Sequence, residues 1–137
     1  MNKKKIIAFI LVLLALIIAD TLWFIISLDR LYKPIMGDLL AKNPNLYAAL
    51  GFYLVYSIGL CHFIIFPRLI EATVNIAKLA RDAAMFGLVA FATYDLTALS
   101  VIKDFSSKLA FIDMIWGVSA ATFSCLFAVL LTRKLIK

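Results

Sequence analysis

The chain has 137 residues, 65% of them hydrophobic and 16% charged, with a mean hydropathy of +1.04 and a net charge of +6. Soluble domains carry roughly 25% charged residues, and a short one needs polar side chains to cover its surface. This composition excludes a soluble enzyme, a disordered tail and a secreted disulfide scaffold. It points to one all-α domain, 1–137, an integral membrane four-helix bundle.

A helical span needs about 20 mostly apolar residues to cross roughly 30 Å of hydrocarbon. Helices are the default because lipid cannot satisfy backbone polar groups. Four windows qualify: 6–28, 46–66, 83–102 and 109–131. The start, Met1-Asn2-Lys3-Lys4-Lys5, looks like a signal peptide. Its apolar core runs through Ala19-Asp20-Thr21-Leu22-Trp23 without a small-residue cleavage site and stays apolar beyond, so the first span is expected to remain uncleaved. Residues 29–45 contain Pro34, Gly37, Pro44 and several charges. They read as a loop with at most one short interfacial helix around 35–41. Asn43 or Asn45 would cap the second span, which is expected to stop at Pro67. Residues 68–82 contain no Gly or Pro, and Leu69, Thr73, Ile76 and Ala80 fall at helical spacing. This stretch is either an amphipathic surface helix or an extension of the third span. The short connection 103–108 makes spans three and four antiparallel neighbours.

Basic residues at span ends set topology. One side holds Lys3, Lys4, Lys5, Arg68, Lys78, Arg81, Arg133, Lys134 and Lys137; the other holds Arg30, Lys33, Lys42, Lys103 and Lys108. Nine against five predicts both termini in the cytoplasm. No basic stripe interleaved with aromatics suggests nucleic acid as a partner; membrane lipid is the expected one. Cys61 and Cys125 read as small buried packing residues rather than a disulfide. The lone His62 and its neighbour Cys61 diverge by about 100° on a helix and make a poor ligand set, so no metal is expected. His62 is expected to be hydrogen-bonded inside the bundle. No cofactor motif is present.

Three carboxylates fall inside the windows: Asp20, Asp95 and Asp113. Ionisable groups in a span cost a few kcal/mol or more and face the bundle or a water-filled cavity. At about 1.5 Å rise per residue, Asp20, Asp95 and Asp113 lie roughly 4–5, 4 and 10 Å from the midpoints of their spans. All three displacements point to the same, outer side, although the spans alternate in direction. Trp23 follows Asp20 by three residues, and Trp116 follows Asp113 by three, which puts each pair on one helix face. Tyr53 and Tyr56 share a face of span two, and Tyr94 and Thr97 flank Asp95. The candidate ligand-binding set is therefore Asp20, Trp23, Tyr53, Tyr56, Tyr94, Asp95, Thr97, Asp113 and Trp116. The bland alternatives are that each acid fixes helix register with a local donor and that the tryptophans anchor the interface. Ala83 with Gly87, and Gly117 with Ala121, have small-xxx-small spacing, which supports packing within one bundle or between the copies of a homodimer.

The run Tyr94-Asp95-Leu96-Thr97, preceded by Gly87, with Asp113-Met114-Ile115-Trp116-Gly117 and Asp20-x-x-Trp23, resembles the bacterial domain-of-unknown-function family 2177. Asn45, Tyr53, Tyr56 and Gly59 also fit that pattern. The resemblance implies a small four-span protein of the bacterial inner membrane and no established activity. Ala98 departs from it, because many members carry Asn after the Thr, so no amide role transfers to that position.

The expected function is an acidic, aromatic-lined pocket in the outer half of the bundle that takes a small amphipathic molecule or part of a lipid. Asp95 and Asp20 would contact its polar groups. The rival is a proton-coupled exporter, since small multidrug resistance exporters are also short four-span chains with an acid in span one, a likeness of layout only. A third reading is an assembly subunit without a site. No nucleophile–base pair or phosphate-cradling Gly loop suggests an enzyme.

Overall fold

The computed structural model describes residues 2–136; Met1 and Lys137, the latter one of the nine basic residues counted above, lie outside the described residues. Helix α1 (Lys3–Ser27) continues through a wide π turn (Leu28–Tyr32) into α2 (Lys33–Met36) and a 3-10 turn, Gly37–Leu39. Helix α3 (Leu46–Leu60) likewise continues through a π turn (Cys61–Ile65) into α4 (Phe66–Ile70). Helices α5 (Ile76–Val101) and α6 (Ser107–Leu135) are unbroken. The four spans are thus Lys3–Leu39, Leu46–Ile70, Ile76–Val101 and Ser107–Leu135, with no strand among the described residues. Large apolar side chains such as Ile25, Val55, Phe111 and Ile115 stand exposed around the outside. A bundle apolar on both its inner and outer surfaces fits lipid rather than water.

Two expectations change at the prolines. The first span does not end at Leu28 in a loop, and the second does not stop at Pro67. In each case the helix widens just before the proline. The Lys33 N–H bonds the Leu28 carbonyl and the Phe66 N–H bonds the Cys61 carbonyl, both five residues back. Pro34 and Pro67 follow immediately. Proline lacks an N–H and its ring collides with the carbonyl four residues back in a regular helix. A wide turn moves that carbonyl aside, so the helix passes the proline instead of breaking. The α-helical part of the first span ends only at Gly37, whose φ of +51° favours glycine.

The stretch 68–82 also resolves differently from a single helix. Residues 71–75 leave the helix, and Asn75 caps α5 by accepting from the Lys78 N–H at 2.9 Å. Across the bundle, Arg133 on α6 donates to the carbonyls of Arg68, Glu71 and Ala72 at 3.1, 2.7 and 2.7 Å. Those carbonyls close the end of α4, where helical partners run out. Buried Arg68 in turn pairs with Glu71 and with Asp82 on α5. One cluster therefore ties spans two, three and four together at the end where Lys5 lies over Phe66, which brings both termini to that end. Asn45 caps α3 through the N–H groups of Tyr47 and Ala48, both at 3.1 Å.

The packing is uneven along the bundle. Helix α6 packs against both α5 and α1, and α3 leans on α1. The apolar core fills the half near the termini: Ala8, Val12 and Leu16 of α1, Leu60 and Ile65 of the second span, Leu79 and Ala83 of α5, and Ala121, Cys125 and Val129 of α6. Cys61 and Cys125 are buried and free. His62 is a correction: it faces outward beside the Phe63 ring rather than into the bundle. Its neighbour Cys61 takes the inward position, and a side chain one residue on points about 100° away. Helices α5 and α6 touch backbone to backbone at Gly87, where an added Cβ would strike the Gly117 carbonyl and lie 2.8 Å from the Ala121 Cβ. Gly117 leaves its own space to the Phe91 ring.

Gly87→Val should therefore force α5 off α6 and lower the unfolding free energy by about 1–3 kcal/mol, read as a lower melting temperature in detergent. Arg133→Gln should release the α4 carbonyls and cost about 2 kcal/mol, with faster hydrogen exchange confined to 68–75.

Candidate functional site

The half of the bundle away from the termini holds a cavity instead of a core. Helices α1 and α6 run antiparallel, and each carries an Asp-x-x-Trp step. In antiparallel register Asp20 comes level with Trp116, and Trp23 comes level with Asp113. The Trp116 Nε1 donates to the Asp20 carboxylate at 2.8 Å. The two indoles stack, with centroids 4.7 Å apart and planes within 10°. The Trp23 Nε1 donates to the Tyr32 hydroxyl at 3.1 Å, and that hydroxyl donates to Asp113. The result is one polar chain inside the membrane domain, Asp20–Trp116–Trp23–Tyr32–Asp113, with the central link a stack.

Tyr32 enters the site because the π turn before Pro34 keeps the first span helical. Its ring lies 5.3 Å from that of Phe24, and the residue is buried. Sequence reasoning missed it by ending the span at Leu28. The spacing Phe24, Leu28, Tyr32 was the available signal, since every fourth residue returns to one face.

Asp95 differs from the other two acids. Its residue is fully buried, yet neither carboxylate oxygen has a hydrogen-bond partner in the protein. It borders the same cavity as Asp20 and Asp113. From α3 come Tyr53, half-buried, and Tyr56, buried with an unpartnered hydroxyl. Tyr56 sits among the rings of Phe52, Phe86 and Phe91 at 5.5, 5.7 and 6.3 Å. Tyr94 stands at the edge, 64% exposed but still bordering the space. Thr97 is not part of it: it lies on the exposed side of α5, off the cavity lining. The reason is angular, because two residues along a helix turn the side chain about 200° away from Asp95.

The cavity has a volume of about 790 Å³, within the range of pockets that hold small molecules. All four spans contribute to its wall. Helices α3 and α5 make few close approaches beside it. From Leu46 to Val55, α3 is exposed except at Ala49 and Tyr53, which are part-buried. Lower down, Tyr56 and Gly59 meet Phe86 and close the gap; a Cβ on Gly59 would lie 2.8 Å from that ring. Among the described residues, no Lys, Arg or His lines the cavity, and no group of three His, Cys, Asp or Glu side chains could hold a metal ion. No Ser or Cys nucleophile borders it either. The arrangement offers carboxylates, phenol hydroxyls and aromatic faces.

A double-mutant cycle of Asp20→Asn with Trp116→Phe should give a coupling energy of about 0.6–1.7 kcal/mol, the range for hydrogen bonds between transmembrane helices. Tyr32→Phe should break both of its hydrogen bonds and shift the tryptophan emission, since the chain's two tryptophans both lie in this polar chain.

Comparisons with curated proteins and with solved structures returned no match. A family model described as "Predicted membrane protein (DUF2177)" matches residues 5–130. That match spans all four helices and every residue of the cavity wall, and the chain belongs to this family of predicted membrane proteins.

Proposed function

We propose that this protein is a binding protein of the bacterial inner membrane, with both termini in the cytoplasm, whose outer half admits a small amphipathic molecule or a portion of a lipid from the side. Asp95 and Asp20 contact the polar part of the guest, and the aromatic walls hold its apolar part. The observation that carries this reading is the cavity of about 790 Å³ bordered by three carboxylates.

Energetics supports it. A carboxylate near the centre of a span costs roughly 2.5–3.5 kcal/mol on insertion scales, although less near the interface. An interhelical hydrogen bond returns about 0.6–1.7 kcal/mol. Asp20 and Asp113 each accept one such bond from a side chain and Asp95 accepts none. Asp95 therefore has no partner in the protein to offset that cost. Fixing helix register does not account for Asp95, which holds nothing.

Two experiments check this reading. Reporter fusions at both termini should score as cytoplasmic; a periplasmic score at either end overturns the orientation. In phosphatidylcholine vesicles with brominated acyl chains, the emission of Trp23 and Trp116 should be quenched. Gly51 lines the cavity with open space around it, so Gly51→Leu should plug the opening and relieve that quenching. Unchanged quenching in the plugged variant would mean that acyl chains do not enter here.

A further inference from the structure

Resting on the reading of the cavity as a binding site, we infer that its guest is a cationic amphiphile carrying N–H donors, a primary or secondary ammonium, and that Asp95 is the residue that receives the charge. Three observations lead there. The first is the imbalance of charge: three acids border the cavity and, among the described residues, no basic side chain does. An anionic guest would meet only like charge, in surroundings where charges are poorly screened.

The second is the imbalance of hydrogen bonds. An ionised carboxylate accepts at about four lone-pair sites and donates nothing. Asp95 is fully buried with both oxygens unpartnered. Trp116 and Tyr32 satisfy the other two acids in part. Asp95 receives no donor from the protein, and an ammonium brings both the donors and the compensating charge. Charge-assisted hydrogen bonds are roughly twice as strong as neutral ones, so an ammonium gains more at Asp95 than an alcohol does.

The third is the wall. The stacked Trp23 and Trp116, with Tyr56 and Phe91, present aromatic rings beside the acids. Ring faces attract cations by about 0.5–2 kcal/mol. The same rings accommodate an apolar tail.

The test compares guests with one octyl tail and different heads: octylammonium, octyltrimethylammonium, 1-octanol and octanoate. The full-length protein is held in phosphatidylcholine nanodiscs, and binding is read from its own tryptophan emission. Octylammonium should saturate at a concentration about tenfold below that of each of the other three, equivalent to about 1.4 kcal/mol. Asp95→Asn, nearly identical in shape, should remove that advantage, so that octylammonium and octanol half-saturate at similar concentrations. Equal half-saturation for octanol or octanoate overturns the cationic assignment while the cavity still binds amphiphiles. Equal half-saturation for octyltrimethylammonium overturns the assignment of N–H donors to Asp95. If no probe gives a saturable change, the binding-site reading itself falls. The comparison of heads on the unaltered chain decides the matter even if the Asn variant fails to fold.

Discussion

The pairing of α1 with α6 through Asp20 and Trp116 is the contact on which the cavity depends. It brings two Asp-x-x-Trp steps into antiparallel register, so that each tryptophan stands level with the other helix's acid. The stack of the two indoles then holds the helices side by side where no apolar core does so. Stacked aromatic pairs add about 0.5–1.5 kcal/mol beyond the area they bury. Tyr32 completes the arrangement from the extended end of the first span. These contacts join α1, α6 and the Tyr32 turn into the wall behind the cavity.

The remaining two helices divide the bundle into halves of different character. At mid-bundle, small residues bring α5 onto α6, and near the termini the Arg133 and Arg68 cluster clamps the end of α4. At the other end the first ten residues of α3 are mostly exposed and contribute little to the interior. Association of helices in lipid rests on close packing and hydrogen bonds rather than on exclusion of water. A half that supplies both holds together; a half that supplies neither between α3 and α5 stays parted. The gap follows from where the small residues and the basic clamp are placed.

The prolines show how a local irregularity becomes a functional one. Each follows a five-residue π turn that lets the helix continue. The first of these turns delivers Tyr32 to Asp113. The second carries the chain on to Arg68 and the clamp. Without the wide turns the first span would end before Tyr32, and Asp113 would lose its donor.

Much of the architecture was legible in the chain itself. Composition and four long apolar windows determine a four-span helical membrane protein, because backbone groups in lipid have no other way to be satisfied. The small-residue spacing at Gly87 and Gly117, the cap at Asn45, and the common level of Asp20, Asp95 and Asp113 could all be read from residue order, because helical rise and period are constant. Tertiary structure alone decided the rest. Position along a span gives depth but not facing: Thr97, two residues from Asp95, turns outward, and His62 yields the inward position to Cys61. Which acids find donors depends on the antiparallel register of α1 and α6, which no single helix encodes. The fate of Pro34 and Pro67 rested on whether one turn could widen, and that wide turn carried Tyr32 into the site.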